Sequence, residues 1–314
     1  MLDLERKPDL LNQLADSLSE SNPWSGMGIN SESHVVFIGM GSSHYASAII
    51  ASRLRAMGMN AVAELASNKL LPKLTHLTVI IAVSASGKSI ETLSALQSLK
   101  GKARIIALTN YPESEIAKAS DEVVLLQSEP EIGGVVCRSF AHTVALQLAL
   151  ESLLFSTTYM LADTIRSAAA AQSYVLENRS TWQPQAQEIL SGGDASYFAA
   201  PAERFSSAQQ SALMLREGPR IASVGCETAD WSHVDVYLTK VQDYRLMIFA
   251  GSSWEKPLMK WCAERGSKTI AVGGEVQGAD FTIHYPGEES TEVALLSESY
   301  FAELIAADLW TNQK

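Results

Sequence analysis

A chain of 314 residues with 46% apolar and 19% charged side chains has an ordinary globular profile and is long enough for two domains. Its formal net charge of −11 argues against nucleic acid or an anionic membrane surface as a partner, because the long-range field repels both. Three cysteines, Cys137, Cys226 and Cys262, are odd in number and widely spaced, which fits a reducing compartment and neither a disulfide framework nor a zinc site.

Residues 2–19 have helical periodicity, with Leu10, Leu11, Leu14 and Leu18 on one face, and residues 20–33 read as loop. The charged N-terminus is followed by no apolar stretch, and the longest apolar runs, such as residues 144–154, are too short for a membrane span. A cytoplasmic protein is the expectation. Strand patterns at 35–38, 61–65, 79–83, 104–107 and 122–126 alternate with helical ones at 46–57, 90–99 and 114–119, an order that predicts a right-handed parallel sheet. An apolar helix over 141–154 closes the first domain, and 161–190 supplies one or two helices as a connector. Ser191-Gly192-Gly193 marks the boundary. The second half repeats the plan, with strands at 196–199, 220–223, 246–250, 269–272 and 281–284 and helices at 205–217 and 254–264, so internal duplication is the simplest account. The expected division is a helical extension (1–30), a first domain (31–155), a connector (156–192) and a second domain (193–314).

Two loops carry the functional signal. The strand at 35–38 runs into Gly39-Met40-Gly41-Ser42-Ser43, and the strand at 79–83 runs into Ser84-Ala85-Ser86-Gly87-Lys88-Ser89. Each opens a helix, where free backbone N–H groups and the helix dipole favour an anion and small hydroxyls add neutral donors. A single such loop is often only a tight turn and a helix cap, but two on one sheet point to a phosphate monoester. The first is not a dinucleotide fingerprint, since His44 stands where the third glycine belongs. The second is not a nucleotide P-loop, since Ala82 stands five residues before Gly87. A phosphate held by hydroxyls and amides, with no metal and no cofactor, is what remains.

Ser84-Ala85-Ser86-Gly87-Lys88-Ser89, with Thr92 one helical turn on, resembles the phosphate loop of the sugar isomerase (SIS) family, Ser-x-Ser-Gly-x-Ser/Thr. Gly41-Ser42-Ser43 resembles that family's Gly-Thr/Ser-Ser turn. The segment from Glu131 to Phe140, containing Gly134, Val136 and Arg138, is similar to its pocket-lining Glu-x-Gly-Val-Ala-Ser-Thr-Lys-x-Phe stretch. The double arrangement is similar to the isomerase half of glucosamine-6-phosphate synthase and to stand-alone phosphosugar isomerases, deaminases and deglycases. The closer match is the segment from Ala208 to Glu217. The resemblance implies an α/β fold of two SIS domains, each a doubly wound, mostly parallel five-stranded sheet of flavodoxin-like type. It also implies a homodimer with shared active sites and a sugar 6-phosphate as substrate.

Laid on without a gap from Ser196 to His233, the resemblance puts Glu217 on the family's catalytic carboxylate and His233 on a histidine that relatives supply from the neighbouring subunit. A carboxylate over C1 and C2 can carry the proton that interconverts aldose and ketose, and a histidine titrates in the range needed to open the sugar ring. The phosphate would be held by Gly41, Ser42, Ser43, Ser84, Ala85, Ser86, Gly87 and Ser89. The expected activity is aldose–ketose isomerisation, or amino-sugar-phosphate isomerisation or deamination, through an enediol or enolamine. The rival is a non-catalytic sugar-phosphate sensor. Met214 replaces a lysine of the family's helix; favouring the rival, Asp230-Trp231-Ser232-His233-Val234-Asp235 departs from the family's Glu-x-x-His-Gly-Pro, and the synthase's C-terminal tail has no counterpart. In the second half, Ala200-Pro201-Ala202-Glu203 lacks the donors of the first loop, so one phosphate site per chain is expected. Gly251-Ser252-Ser253 reads as a helix cap.

Overall fold

The computed structural model describes residues 1–135, 137–157 and 159–312. The chain begins with α1 (Leu2–Glu5), α2 (Lys7–Glu20), β1 (His34–Gly39), α3 (Ser42–Ala56), β2 (Asn60–Leu65), β3 (Thr78–Val83), α4 (Ile90–Leu99) and β4 (Arg104–Thr109). It continues through α5 (Glu115–Lys118), β5 (Glu122–Leu125), α6 (Arg138–Leu154), α7 (Leu161–Glu177), α8 (Arg179–Ser191), β6 (Ala195–Ala200), α9 (Phe205–Glu217) and β7 (Ser223–Glu227). The remainder is β8 (Tyr244–Phe249), α10 (Glu255–Arg265), β9 (Lys268–Val272), β10 (Phe281–Ile283), α11 (Thr291–Ser297) and α12 (Ser299–Asn312). Two compact units result. An amino-terminal unit comprises Asp9–Glu131 and Arg138–Arg166, and a carboxy-terminal unit comprises Met1–Pro8, Ile132–Cys137 and Ser167–Lys314.

The amino-terminal unit is built on a parallel sheet in the order β2-β1-β3-β4-β5. Every residue of β3 is buried, as expected of a central parallel strand covered on both faces. One core cluster holds Val36, Ile38, Ile80, Ala82, Leu96 and Ile105. Each large side chain buried there contributes about 1.5–3 kcal/mol of hydrophobic stabilisation. The carboxy-terminal unit has a second parallel sheet in the order β10-β9-β8-β6-β7. Taken in chain order, its strands occupy the same places as those of the first sheet, as duplication requires. Its cluster is richer in aromatic and sulfur side chains, among them Tyr197, Trp231, Tyr244, Met259 and Cys262.

Several element boundaries depart from the sequence pattern for local reasons. The strand anticipated over 220–223 starts only at Ser223, because Arg220 takes a left-handed φ of 63° and the Ile221 N–H bonds back to the Leu215 carbonyl, finishing α9. Helix α6 starts three residues before its apolar run, because Glu131 accepts a 2.7 Å hydrogen bond from the Arg138 N–H and another from the Ser139 hydroxyl. The N-terminal helix is interrupted at Arg6. Helices α11 and α12 were not signalled by the pattern at all. They are buried on nearly every side through Ala306, so no amphipathic stripe is visible. Their core acids also interrupt the apolar run. Glu298 is tied to Arg204 at 2.9 Å and Glu303 to Lys7 at 2.6 Å.

Candidate functional site

In an open parallel sheet, ligands bind at the carboxyl ends of the strands where the strand order reverses. In the amino-terminal unit that point lies between β1 and β3, and both glycine-serine loops leave the sheet there. After β1, Gly41 adopts φ 51° as the N-cap residue of α3, and no side chain caps that helix. Gly39 must be glycine for a different reason. A Cβ there would lie 2.9 Å from that of Ser43 and 3.2 Å from the Val83 carbonyl oxygen, so α3 can start close against the strand ends only without one. Ser42 and Ser43 are half-buried in the first turn.

The second loop is drawn tight. The Gly87 N–H donates to the Ser84 carbonyl at 3.0 Å, and Gly87 has φ 63° with its α-carbon against Ser114, whose Oγ would lie 2.2 Å from an added Cβ. The Ala85 carbonyl accepts from the Asn110 N–H at 3.1 Å, pinning the loop to the end of β4. Ser84 is buried, Ala85 half-buried and Ser86 exposed. Ser89 caps α4: its hydroxyl accepts from the Thr92 N–H at 3.3 Å and donates to Glu91 at 3.1 Å. Its first duty is therefore to the helix. His44, in the first turn of α3, has its pKa lowered mainly by burial, against the raising effect of Glu64. Burial thus disfavours the charged imidazole at this position.

The equivalent point of the second sheet, between β6 and β8, is filled by the protein itself. After β6, Arg204 is buried and donates through Nε to Glu298 at 2.9 Å and through a terminal nitrogen to the Ala250 carbonyl. After β8, Glu255 accepts from the Gly251 N–H at 2.5 Å and from the Ser252 N–H at 3.0 Å. A carboxylate of the chain thus takes backbone donors of the kind a phosphate would need. Glu203, the carboxylate of the Ala200-Pro201-Ala202-Glu203 loop, is exposed and does not take this role. Glu255 and Arg204 were overlooked. The signal for Glu255 was the Ser-x-x-Glu spacing from Ser252, which marks a capping box.

The other candidate residues belong to the carboxy-terminal unit. Glu217 is the last residue of α9, where Gly218 follows with its N–H on the Met214 carbonyl at 3.0 Å. Its side chain is exposed by area, yet the surrounding protein raises its pKa by desolvation, opposed by the charge of Arg216. His233 ends a short 3-10 turn, Asp230–Ser232, and is exposed. Gly134 is exposed with φ 81°, while Val136 lies outside the described residues. The loop before it is held by Asp3, whose Oδ2 accepts from the Ile132 N–H at 3.0 Å and the Gly133 N–H at 2.6 Å. Sequence reading passed over Asp3, since a contact spanning about 130 positions leaves no local pattern. Arg138, the residue set against the family's lysine, belongs to the amino-terminal unit, is buried, and donates to the Pro130 carbonyl at 2.7 Å. Among the described residues no cluster of three or more His, Cys, Asp or Glu side chains could hold a metal ion, and no helix is long and apolar enough to cross a membrane.

Comparison with known proteins agrees with this layout. The family pattern for the SIS domain matches residues 28–157. A glutamine–fructose-6-phosphate aminotransferase (isomerizing) of Sulfurisphaera tokodaii is 24% identical over 287 residues, covering 88% of this chain and 47% of that protein. The chain thus spans about half the length of that relative. Among solved structures, the C-terminal domain of glucosamine-fructose-6-phosphate aminotransferase from Francisella tularensis superposes with a TM-score of 0.81 at 15% identity, covering 98% of this chain and 95% of that one. Glucosamine-6-phosphate deaminase from Thermotoga maritima superposes with a TM-score of 0.72 at 19% identity, covering 99% and 95%. Residues 28–157 thus match the SIS domain, and the two parallel sheets of one strand order give the chain the fold shared by these solved structures.

Proposed function

We propose that the chain binds a hexose 6-phosphate, in particular an amino sugar phosphate, and moves a proton between C1 and C2 through an enediol or enolamine, as an isomerase or a deaminase. The observation that carries the reading is the contrast between the two sheets. The β1/β3 switch point offers loop amides and small hydroxyls to an anion, whereas the β6/β8 point is occupied by Arg204 and Glu255. Ser42, Ser43, Ser84 and Ser86, with the amides of Gly41, Ala85 and Gly87, hold the phosphate. Ser89 contributes by fixing the start of α4.

In this reading Glu217 is the base. Its raised pKa makes the carboxyl a better proton acceptor once ionised than an ordinary surface glutamate, and lets the protonated form return the proton at the neighbouring carbon. His233 serves the ring-opening step in the site of the neighbouring subunit of a homodimer. The exposure of its imidazole on its own chain is compatible with that role.

The test is proton NMR in deuterated water with glucose, fructose and glucosamine 6-phosphates, each first shown by thermal shift to bind. A bound sugar phosphate should exchange its C2 hydrogen, and Glu217→Gln should keep binding while losing turnover by about two to four orders of magnitude. Binding without exchange in the native chain would make the protein a sensor and remove the catalytic assignment.

A further inference from the structure

The loop that runs from Ile132 to Val135 packs few side chains of its own: Ile132 is 77% exposed, and Gly134 is exposed with φ 81°. Its place in the carboxy-terminal unit is set through the backbone. The Ile132 and Gly133 N–H groups both donate to one oxygen, Oδ2 of Asp3, at 3.0 and 2.6 Å, and a carboxylate makes such bonds stronger than a neutral acceptor does. Gly133 fits closely against that oxygen, since an added Cβ would lie 2.9 Å from it. The support beneath is firm. Asp3 is buried in α1, the adjoining Leu4 carbonyl accepts from the Tyr300 hydroxyl at 2.8 Å, and Lys7 reaches Glu303 at 2.6 Å, so residues 3–7 are tied to α12. The held loop in turn abuts the end of α9. Gly133 and Val135 share the wall of a cavity of about 240 Å³ with Met214 and with Gly218, the residue after Glu217, and the Cys137 and Met214 sulfurs lie 3.8 Å apart.

We propose that Asp3 is a positioning residue for the proton transfer assigned to Glu217. It touches no reacting atom. By fixing the Ile132 and Gly133 amides it fixes the wall beside the end of α9, and thereby how C1 and C2 of the sugar approach Glu217. A misplacement of about 1 Å is enough to cost about a hundredfold in rate. The role needs an oxygen that accepts two N–H groups at one place, which an amide carbonyl also offers, and does not need the negative charge. Phosphate is held by the loops after β1 and β3, to which this loop does not belong. The inference deepens the function proposed above and rests on it.

The test compares the full chain with Asp3→Ala, Asp3→Asn and Gly133→Ala by C2 hydrogen exchange of glucosamine 6-phosphate in deuterated water and by calorimetry with inorganic phosphate. Asp3→Ala should lower the saturating exchange rate by about 10- to 100-fold and leave phosphate affinity unchanged. Asp3→Asn keeps an oxygen for both N–H groups and should restore the rate to within about threefold of the native chain. Gly133→Ala, which parts the loop from the carboxylate on the other side, should lower the rate as Asp3→Ala does, and it takes the place of that variant if the latter does not fold. A native chain that promotes no exchange would overturn the underlying reading and this inference with it. Where the native chain does exchange, three results would overturn the inference alone: an unchanged rate in folded Asp3→Ala or Gly133→Ala, an Asp3→Asn as slow as Asp3→Ala, or a phosphate affinity that falls along with the rate.

Discussion

Glu217 ends its helix beside Arg216, and the two side chains act on the same titration in opposite senses. Burial raises the glutamate pKa and the guanidinium lowers it, burial being the larger effect. A general base works in its ionised form, so catalytic rate should rise with pH through a value above the ordinary glutamate range. Arg216→Gln removes the lowering influence and should move that acidic limb to still higher pH. A pH–rate profile of the two proteins checks this, and an unmoved limb would show that another group controls it.

At the level of elements, two carboxylate-centred devices stand out. Glu255 occupies the amides that open α10, and Glu255→Ala should cost about 1 kcal/mol in a urea titration through the lost cap. The same variant should be stabilised by sulfate more than the native chain, since an anion could then reach the Gly251 and Ser252 N–H groups. Lys7 and Glu303, both with fully buried side chains 2.6 Å apart, anchor the start of α2 to α12. Lys7→Met leaves the carboxylate without its cation and should destabilise by about 3–5 kcal/mol. Replacing both by apolar residues should restore most of that, because the pair's desolvation penalty disappears with it. A double-mutant cycle in denaturant measures the difference.

For the molecule as a whole, the net charge of −11 opposes an anionic ligand, while the donors at the β1/β3 loops are mostly neutral. Recognition of phosphate by amides and hydroxyls is local and short-range, but the repulsion is long-range and screened by salt. Affinity for a sugar phosphate should therefore hold constant or improve, by up to about twofold, between 10 and 150 mM salt. A marked loss of affinity over that range in calorimetry would mean that lysine or arginine side chains dominate the contact. Duplication also has a consequence at this scale. Two sheets of one order were available for anion binding, and the second has its switch point closed with Arg204, Glu298 and Glu255.

Much was readable from the chain because it is encoded locally. Apolar runs such as 79–83 specify buried parallel strands, and Gly41 and Gly87 announce left-handed turns. Ser89 and Thr92, three positions apart, mark the start of α4. These follow from backbone sterics and side-chain periodicity, which a sequence states directly. What it could not state depends on residues far apart in the chain: Asp3 holding Ile132 and Gly133, Lys7 under Glu303, and Arg204 under Glu298. Those pairings bury charges within apolar segments, which hid α11 and α12 from any periodic pattern. They also decide which glutamates cap or brace the fold and which one, Glu217, is left at a helix end with a raised pKa. Long-range compensation of charge has no local signature, so only the folded chain settles it.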